Sequence, residues 1–255
     1  MMSRAPDPIC ASLSFPHLDL TSVHVWCCEL PRYAAVQESF AAQLSEQERT
    51  RAARFAFERD RQRFVLSHGV LRQLLARYTH IKAGEIQFIT GRHGKPDLAA
   101  PSVPSGNIQF SLSHSGEYAL VAVARGREVG VDVEVFKANM DCAKLAERFF
   151  APREAQAMAT LCGKPQQRMF YRLWTAKEAY FKGLGVGLSL GLERCEIVFD
   201  GESPHARVRL ADSGTFDHAW QIQSLSLPDG LAGAVAASGG DWKLHRYEST
   251  AYSLA

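Results

Sequence analysis

The chain has 255 residues, and its 29 Lys and Arg residues against 27 Asp and Glu residues leave a formal net charge of +2. This near balance excludes an acidic-tail protein and a globally basic nucleic-acid coat. Hydrophobic residues make up 46% of the chain, and no apolar run approaches the ~18 residues that a membrane span needs. The N-terminus lacks the pattern of a secretory signal, so we expect a cytoplasmic protein without a membrane partner.

Six cysteines are scattered along the chain. None belongs to a C-x-x-C pair of the kind found in zinc and redox sites, and the neighbours Cys27 and Cys28 would form a strained bridge. We therefore expect reduced thiols, which agrees with a cytosolic location, and no structural zinc.

The first half of the chain opens with a segment, 1–20, that carries three prolines without a clear period and is predicted to be a loose N-terminal arm. A first strand is predicted over 23–29. The helical pattern that follows, 45–78, begins with a capping box, because Ser45 is followed three residues later by Glu48. Further strands are predicted over 85–90, 108–113, 118–124 and 130–135, with turn signals at 91–96 and 113–116.

The second half repeats this order of elements. Helices are predicted over 141–149, 152–162 and 166–183, and strands near 195–199, 206–210, 220–227, 231–237 and 242–247. The letters repeat as well, since 111–124 match 224–237 at an offset of 113 residues and 85–88 match 196–199 at an offset of 111. We therefore predict two similar α+β halves, 21–125 and 126–250, each a small sheet backed by a long helix. The seam between such halves is a natural ligand cleft.

Two carboxylates are expected on one face of a strand in Gly130-Val-Asp-Val-Glu134. Side chains at i and i+2 of a strand point to the same side, so Asp132 and Glu134 project together while the valines face a core. Two such carboxylates repel each other unless a cation lies between them, and a hard cation such as Mg²⁺ is the simplest candidate. The alternative is an edge strand with one solvated face.

The segment Trp174-Thr-Ala-Lys-Glu-Ala-Tyr-Phe-Lys182 has helical spacing and places Glu178 and Lys182 one turn apart. In the functional interpretation, Glu178 completes the metal site with the two strand carboxylates and Lys182 reaches a phosphate. In the alternative, the two form an exposed ion pair worth a few tenths of a kcal/mol. Trp174 is expected to be a core anchor.

Two further groups of residues have the chemistry to bind phosphate. His114 lies in the polar turn Ser113-His-Ser-Gly116, where loops commonly carry ligand contacts. Six arginines fall within fifteen residues, and the guanidinium fork matches phosphate oxygens; they are Arg49, Arg51, Arg54, Arg59, Arg61 and Arg63. The interspersed Glu48, Glu58 and Asp60 leave a solvated helix face as the alternative.

Two glycine-rich patterns resemble functional motifs but lie in the wrong context. The run 183–187 follows a helix, whereas a dinucleotide-binding loop joins a strand to a helix. The run 187–191 fits G-x-S-x-G around Ser189, but the serine-hydrolase elbow needs a preceding strand and a following helix. We therefore expect neither a dinucleotide loop nor a nucleophilic serine here.

Taken together, these motifs resemble the 4′-phosphopantetheinyl transferase superfamily, in its Sfp-like (surfactin-synthetase-activating) branch. The two family signatures are approximately G-[IV]-D-[IVL]-E and W-[ST]-x-K-E-[AS]-x-x-K-x-x-G-x-G, and 130–134 and 174–187 match them in order. Supporting pieces are G-x-x-G-K-P at 91–96, S-H-S at 113–115 and R-F-F…E at 148–154. The resemblance runs over about 44–199. The chain departs from it at Ser111, where relatives commonly have Asn, and at Glu48, where some carry a basic residue.

The resemblance implies a pseudodimer of two α+β halves, each with a small, mostly antiparallel sheet and with coenzyme A bound between them. It also implies a monomeric, Mg²⁺-dependent enzyme with no nucleic-acid partner. Such an enzyme transfers the 4′-phosphopantetheine arm of coenzyme A to a serine of an acyl or peptidyl carrier protein and releases adenosine 3′,5′-bisphosphate.

The resemblance also assigns roles to individual positions. The metal ligands would be Asp132, Glu134 and Glu178, and Lys182 would bind the diphosphate. The other phosphate contacts, including those to the 3′-phosphate, would be Ser113, His114, Arg51 and Arg63. The adenine pocket would be lined by Lys95 and Pro96. The carrier serine needs a base, for which Glu178 is the first candidate and Glu154 the second.

Two other functions stay open from the residues alone. The same carboxylates would serve a Mg²⁺-dependent phosphoesterase or nuclease, which would hydrolyse phosphate esters without any carrier protein. The Arg-rich segment would serve an RNA-binding module with a steep salt dependence. The nearly neutral chain and the limited aromatic interleaving argue against that module.

Overall fold

The computed structural model of the protein describes residues 15–91, 94–99, 107–187 and 191–249. Most of the predicted N-terminal arm, Cys10 and Ser189 lie outside the described residues. None of the described helices is both long enough and apolar enough to cross a membrane.

The first half of the chain is a strand, a run of helices and two pairs of strands. In chain order these are β1 Ser22–Glu29, a 3-10 segment Leu30–Val36, α1 Gln37–Gln43, α2 Glu46–Ala53, α3 Glu58–Thr79, a 3-10 turn Ala83–Glu85, β2 Phe88–Thr90, β3 Pro96–Leu98, β4 Ile108–Ser115 and β5 Tyr118–Arg125.

The second half has the same kind of order and one further strand. Its elements are β6 Val129–Val135, α4 Cys142–Phe149, α5 Pro152–Ala159, α6 Gly163–Leu184, a 3-10 turn Leu192–Arg194, β7 Cys195–Phe199, β8 His205–Leu210, β9 Phe216–Ser224, β10 Leu231–Ser238 and β11 Lys243–Ser249.

The described strands form a four-stranded sheet of order β11-β1-β5-β4, a five-stranded sheet of order β6-β10-β9-β8-β7 and the small ribbon β2-β3. The three neighbouring strands β1-β5-β4 of the first sheet have the same arrangement as β6-β10-β9 of the second. In each set the first strand of that half pairs with a later strand, which also pairs with the strand just before it in the chain, and all four pairings are antiparallel. In both halves a 22-residue helix, α3 or α6, precedes the later strands. The protein therefore has the mixed α+β fold that the sequence predicts.

Three apolar cores hold the elements in four layers. One core joins α3 to the first sheet, and another joins α6 to the second sheet. The third lies between the two sheets and is built from residues such as Val25, Leu120, Val131 and Val235. Because β5 is covered on both faces, all of 119–124 is fully buried and its sequence is a continuous apolar run.

The structure divides the long predicted helix 45–78 into α2 and α3. The capping box at the start of α2 is confirmed, since Ser45 Oγ accepts from the Glu48 N–H at 3.2 Å and Glu48 Oε2 accepts from the Ser45 N–H at 2.8 Å. The break falls at Phe57, which has an extended backbone, and the acidic first turn of α3 favours a new helix start there.

Several predicted strand bounds also shift. The expected strand over 85–90 shortens to β2, because Ala83–Glu85 forms a 3-10 turn. The expected turn over 113–116 is wrong for most of its length: Ser113, His114 and Ser115 continue β4, and the hairpin turns only at Gly116, which has a φ of 55°. The last strand, β11, lies within 126–250 in sequence, yet it pairs in parallel with β1 of the first sheet.

Gly130 allows a close approach between strand β6 and helix α6. A Cβ atom at this position would overlap the Ala179 carbonyl oxygen and the Gly183 amide nitrogen of α6. The backbone of α6 therefore lies directly against β6, which brings the side chains of both elements to one place.

We expect Gly130→Ala to lower the free energy of unfolding by about 1–3 kcal/mol, since the added methyl group must push α6 away from β6. Urea denaturation measures the change. Gly84 is the matched control, because a Cβ there meets no atom closer than 3.9 Å, and Gly84→Ala should change stability by less than about 0.5 kcal/mol. Equal stability of the two variants would contradict the close packing.

Candidate active site

A ladder of serine side chains joins the two sheets. Strands β4 and β6 each lie at the edge of a larger sheet. The three serines of β4 occupy alternate positions of the strand, and their hydroxyl groups accept hydrogen bonds from N–H groups of β6. The bonds run from Val131 to Ser111 at 3.1 Å, from Val133 to Ser113 at 3.4 Å and from Val135 to Ser115 at 3.2 Å. The sequence analysis missed this role, although the spacing 111, 113, 115 places the three hydroxyls on one face of a strand.

The predicted carboxylates lie at this seam and are bound by the same serines. Ser113 donates to Asp132 Oδ1 at 2.8 Å, and Ser115 donates to Glu134 Oε2 at 2.7 Å. Asp132 is buried and Glu134 is half-buried. The two side chains thus project together, as the strand period predicts, but into the seam between the sheets instead of onto a solvated edge.

Lys182 of α6 supplies the cation of this group. Its Nζ lies 2.7 Å from Asp132 Oδ1 and donates to Ser113 Oγ at 2.9 Å. Its ion pair in the described part of the chain is therefore with Asp132 across the seam, not with Glu178 one helical turn away. This partner rules out the alternative of an exposed i,i+4 pair.

Glu178 lies on the same side of α6 and is buried. Burial, followed by the charges of Asp132 and Glu134, raises its pKa to about 7, although Lys182 acts in the opposite direction. Burial also raises the pKa of Asp132 and of Glu134. Three carboxylates therefore share one poorly solvated region with a single lysine, which leaves an excess of negative charge when all are ionised.

The chemistry of this group fits a hard cation that brings other ligands with it. Among the described residues, no three or more His, Cys, Asp and Glu side chains are already arranged as a metal cage. Asp132 Oδ2, however, is buried without a hydrogen-bond partner in the described structure. Mg²⁺ takes few protein oxygens and fills its remaining positions with water and phosphate, so a partly built set of carboxylates is compatible with it.

The raised pKa of Glu178 makes a prediction for the metal-free protein. The folded state favours the protonated carboxyl, so this group's contribution to stability is present below about pH 4.5 and is lost as the pH rises through about 7. In the presence of EDTA, the free energy of unfolding of the wild type should therefore fall over this window relative to Glu178→Gln. Parallel pH profiles of the two proteins in urea denaturation would contradict the assignment.

A cavity of about 420 Å³ opens beside the carboxylates, between the first sheet, the helices α2 and α3 and the end of α6. Six of the residues predicted to bind coenzyme line it: Arg51, Lys95, Pro96, Ser113, His114 and Lys182. It is also lined by His68 of α3, which the sequence analysis did not select. A lone histidine four residues after a phenylalanine on a helix carries no signal that separates a pocket residue from a core residue.

The predicted arginine cluster is divided by the fold. Arg51 lines the cavity, and its guanidinium carbon lies 5.3 Å from the centroid of the Phe64 ring. Arg63 is not among the cavity-lining residues and pairs with Glu117 at the β4–β5 turn. Arg49 and Arg61 form exposed ion pairs within their own helices, so they belong to the solvated face that was the alternative interpretation.

The two remaining coenzyme candidates, His114 and Lys95, have different surroundings. His114 lines the cavity, and burial together with the charges of Lys182, Arg51 and Arg63 lowers its pKa. The Lys95 ammonium donates to the Gly183 carbonyl at 3.0 Å and pairs with Glu128 at 2.7 Å. Lys95 therefore ties the β2–β3 ribbon to the end of α6.

Glu154, the second candidate for a base, has a structural position. It accepts the N–H groups of Ala151 at 2.9 Å and Ile197 at 2.8 Å, and it lies 2.7 Å from Lys177 Nζ. Both charged side chains are buried in the core between α5, α6 and β7. Trp174 packs against the rings of Phe149, Phe150 and Phe170, as expected for a core anchor.

The glycine run after α6 ends a helix, as the sequence analysis predicts. Gly185 is the C-cap of α6 with a left-handed φ of 70°. The run therefore does not join a strand to a helix in the way that a dinucleotide-binding loop does.

Comparison with known proteins gives two family matches that together span most of the chain. Residues 128–237 match the 4′-phosphopantetheinyl transferase superfamily, and residues 31–126 match the N-terminal part of 4′-phosphopantetheinyl transferases. The chain is 37% identical to the 4′-phosphopantetheinyl transferase HetI of a Nostoc species, over 89% of this chain and 93% of that protein.

Two further relatives are more distant. The chain is 28% identical to the 4′-phosphopantetheinyl transferase Sfp of Bacillus subtilis, over 80% of this chain and 87% of that protein. It is 27% identical to the human L-aminoadipate-semialdehyde dehydrogenase-phosphopantetheinyl transferase, over 80% of this chain and 70% of that protein.

Proposed function

Because this chain belongs to the 4′-phosphopantetheinyl transferase superfamily and is an enzyme of that type, we propose that its central cavity binds coenzyme A beside the carboxylates at the seam. The observation that carries the proposal is the placement of phosphate-binding side chains at two places in one cavity. Lys182 lies next to the carboxylates, and Arg51 and His114 line the same cavity. Coenzyme A has a matching pair of anionic groups, a diphosphate and a 3′-phosphate.

The metal of this proposal is Mg²⁺, held by Asp132, Glu134 and Glu178. When bound, it would neutralise charge on the diphosphate. The Oδ2 of Asp132, which has no hydrogen-bond partner in the described structure, supports this placement. The excess negative charge of the three carboxylates supports it as well. Lys182 adds a second positive charge on the same side of the cavity, where preorganised charges stabilise a leaving phosphate most strongly.

In the proposed reaction, the hydroxyl oxygen of a carrier-protein serine forms a bond to the β-phosphorus of coenzyme A. The bond between that phosphorus and the bridging oxygen breaks, and adenosine 3′,5′-bisphosphate leaves. Glu178 accepts the serine proton, because it is a buried carboxylate on the side of α6 that faces Asp132 and Glu134, where the diphosphate is proposed to bind. Glu154 has no part in this step, since its carboxylate is bound to Lys177 and two backbone N–H groups.

The repeated sequence also suggests how the chain is organised. We infer that 21–125 and 126–250 are duplicated halves of a pseudodimer, since β5 and β10 are separated by the same 113 residues as the two similar sequence segments. A monomer suffices, because one chain supplies both walls of the cavity. The described cysteines are all unbridged, which supports a cytoplasmic location.

The mass of a carrier protein tests this function. A purified apo-acyl or apo-peptidyl carrier protein, incubated with this enzyme, coenzyme A and Mg²⁺, should gain the mass of one phosphopantetheine group. Adenosine 3′,5′-bisphosphate should appear in equal amount, and a carrier with its acceptor serine replaced by alanine is the control. Loss of coenzyme A without carrier modification would favour the phosphoesterase alternative, and unchanged carrier and coenzyme would contradict both.

A further inference from the structure

His68 is a cavity residue to which the reaction above assigns no role. It projects from α3 into the cavity that is also lined by Arg51 of α2 and His114 of β4. Three nitrogen-bearing side chains from three different elements therefore border one space. No described acidic side chain lines this cavity, so its charged and titratable lining is entirely of the kind that binds anions.

The Phe64 ring holds two of these side chains in place. The rings of His68 and Phe64 are stacked with their centroids 3.8 Å apart, and the Arg51 guanidinium carbon lies 5.3 Å from the centroid of Phe64. Phe64 itself is buried. Because a buried aromatic residue supports both groups, their positions are set before any ligand arrives.

The hydrogen bond of the His68 ring determines which nitrogen is available to a ligand. Nδ1 lies 3.1 Å from the Phe64 carbonyl oxygen and 3.4 Å from Ser67 Oγ. The carbonyl can only accept, and the Ser67 hydroxyl proton is already donated to that same carbonyl, so Nδ1 carries the proton. In the neutral ring Nε2 is then an acceptor only, and no described residue bonds to it. His68 can therefore donate to an anion from Nε2 only after a second proton has made it an imidazolium.

Burial favours the neutral ring of His68 until an anion binds. Burial, with smaller effects from His114 and Arg51, lowers its pKa to about 4, whereas Glu48 acts in the opposite direction. Lys182 and Arg63 in turn lower the pKa of His114, and Asp60 acts on it in the opposite direction. An added phosphate would reverse this balance by placing negative charge between His68 and Arg51.

Glu48 is positioned to compensate a charged His68 without repelling the anion strongly. One carboxylate oxygen, Oε2, accepts from Arg72 Nε at 2.9 Å, from Arg72 Nη2 at 2.6 Å and from the Ser45 N–H. The other, Oε1, is buried and has no hydrogen-bond partner in the described structure. Burial opposes ionisation of Glu48, but the bonds from Arg72 and Ser45 outweigh it and keep its pKa below the ordinary value.

We propose that His68 binds the 3′-phosphate of coenzyme A as an imidazolium, having taken up a proton from solvent when the ligand arrives. The inference rests on the proposed function, which places the diphosphate beside Lys182 because the bond that breaks is there. The phosphate monoester of the same ligand is then left for Arg51, His68 and His114. Preference for coenzyme A over 3′-dephospho-coenzyme A should accordingly be stronger in mild acid than in mild base.

Calorimetric titration with coenzyme A and with 3′-dephospho-coenzyme A, at about pH 6 and about pH 8, tests this inference. The wild type should prefer coenzyme A more strongly at the lower pH. His68→Gln should lose about tenfold of that preference at about pH 6 and little at about pH 8, since a hydrogen bond from a charged donor is removed only where the imidazolium forms. Buffers of different ionisation heat should show less proton uptake by the variant.

Two further variants separate binding from packing. His68→Lys carries a permanent cation and should retain the preference at both pH values. His218→Gln, which changes an exposed histidine on β9, should match the wild type throughout. A wild-type preference retained by His68→Gln at about pH 6 would overturn the inference, as would equal losses for both ligands. Failure of the wild type to bind coenzyme A at all would instead overturn the proposed function.

Discussion

Replacing Asp132 by alanine should lower the rate of carrier-protein modification by about 10²–10³, because preorganised charge at the reacting centre is removed. Asp132 is buried and contacts both Lys182 and Ser113, so the substitution also frees the lysine from its partner. The rate is measured from the mass of the carrier at saturating Mg²⁺ and coenzyme A. Asp229→Ala, at an exposed position, is the control, and near-wild-type turnover of Asp132→Ala would contradict the role.

A double variant separates this catalytic role from a structural one. Asp132→Asn leaves Lys182 without its counter-charge, so it should destabilise the fold as well as slow the reaction. Adding Lys182→Met removes the unpaired charge and should restore much of the stability, as measured by urea denaturation. We expect turnover to remain low in the double variant. Recovery of both stability and turnover would mean that the pair only holds α6 against β6.

Replacing Lys177 by methionine should lower the free energy of unfolding by about 3–5 kcal/mol, because Glu154 would remain as a buried charge without its partner. The side chains of Lys177 and Glu154 are 0% and 4% exposed, and their charged atoms lie 2.7 Å apart. Lys177 Nζ also donates to the carbonyl groups of Leu192 and Cys195. Urea denaturation near neutral pH measures the loss.

Two controls test the prediction for Lys177: a double variant that removes both charges of the pair, and a variant that breaks an exposed ion pair. Lys177→Met combined with Glu154→Gln should regain a large part of the lost stability, since neither charge is left buried. Lys82→Ala breaks a pair whose side chains are 85% and 64% exposed and should cost less than about 1 kcal/mol. A loss of similar size in Lys82→Ala and Lys177→Met would contradict the structural role assigned to Glu154 and Lys177.

Lys177 and Glu178 are neighbours on α6, and they show the difference between a buried charge that stabilises the core and one that faces the proposed site. They are adjacent in sequence and both buried, but adjacent helical residues point about 100° apart. Lys177 is bound to Glu154 in the core, whereas Glu178 faces the carboxylates of β6. A folded Lys177 variant should therefore keep its turnover per molecule far better than Glu178→Gln.

Local periodicity was sufficient to predict much of the architecture from the sequence. Alternation placed Asp132 and Glu134 on one face, and the structure has them there, because a strand repeats every two residues. The capping box at Ser45 and the helix end at Gly185 were likewise readable, since both depend on residues within one or two turns. The spacing of α6 also placed Glu178 and Lys182 on one side of a helix.

Ion pairs and strand pairings between residues that are far apart in the chain could not be predicted from local periodicity. Lys182 pairs with Asp132 and not with Glu178, Arg63 pairs with Glu117, and β11 returns to the first sheet. His68 lines the cavity, although no sequence motif predicted this position. These outcomes depend on how α6 packs against β6 and how β4 meets β6, and a sequence period specifies which face a side chain occupies but not which distant element covers that face.

The amino-acid sequence by itself thus determined the fold class, the order of the elements and the chemical types of the groups available to the site. The tertiary structure alone decided which of those groups share a cavity, which are neutralised by a partner and which acquire a shifted pKa. The physical reason is that helix and strand periods come from local backbone geometry, whereas burial and charge pairing act through space between residues far apart in the chain. Glu178 and Glu154 are both buried glutamates, and only their surroundings place one beside the carboxylates of β6 with a raised pKa and the other in a core ion pair with Lys177.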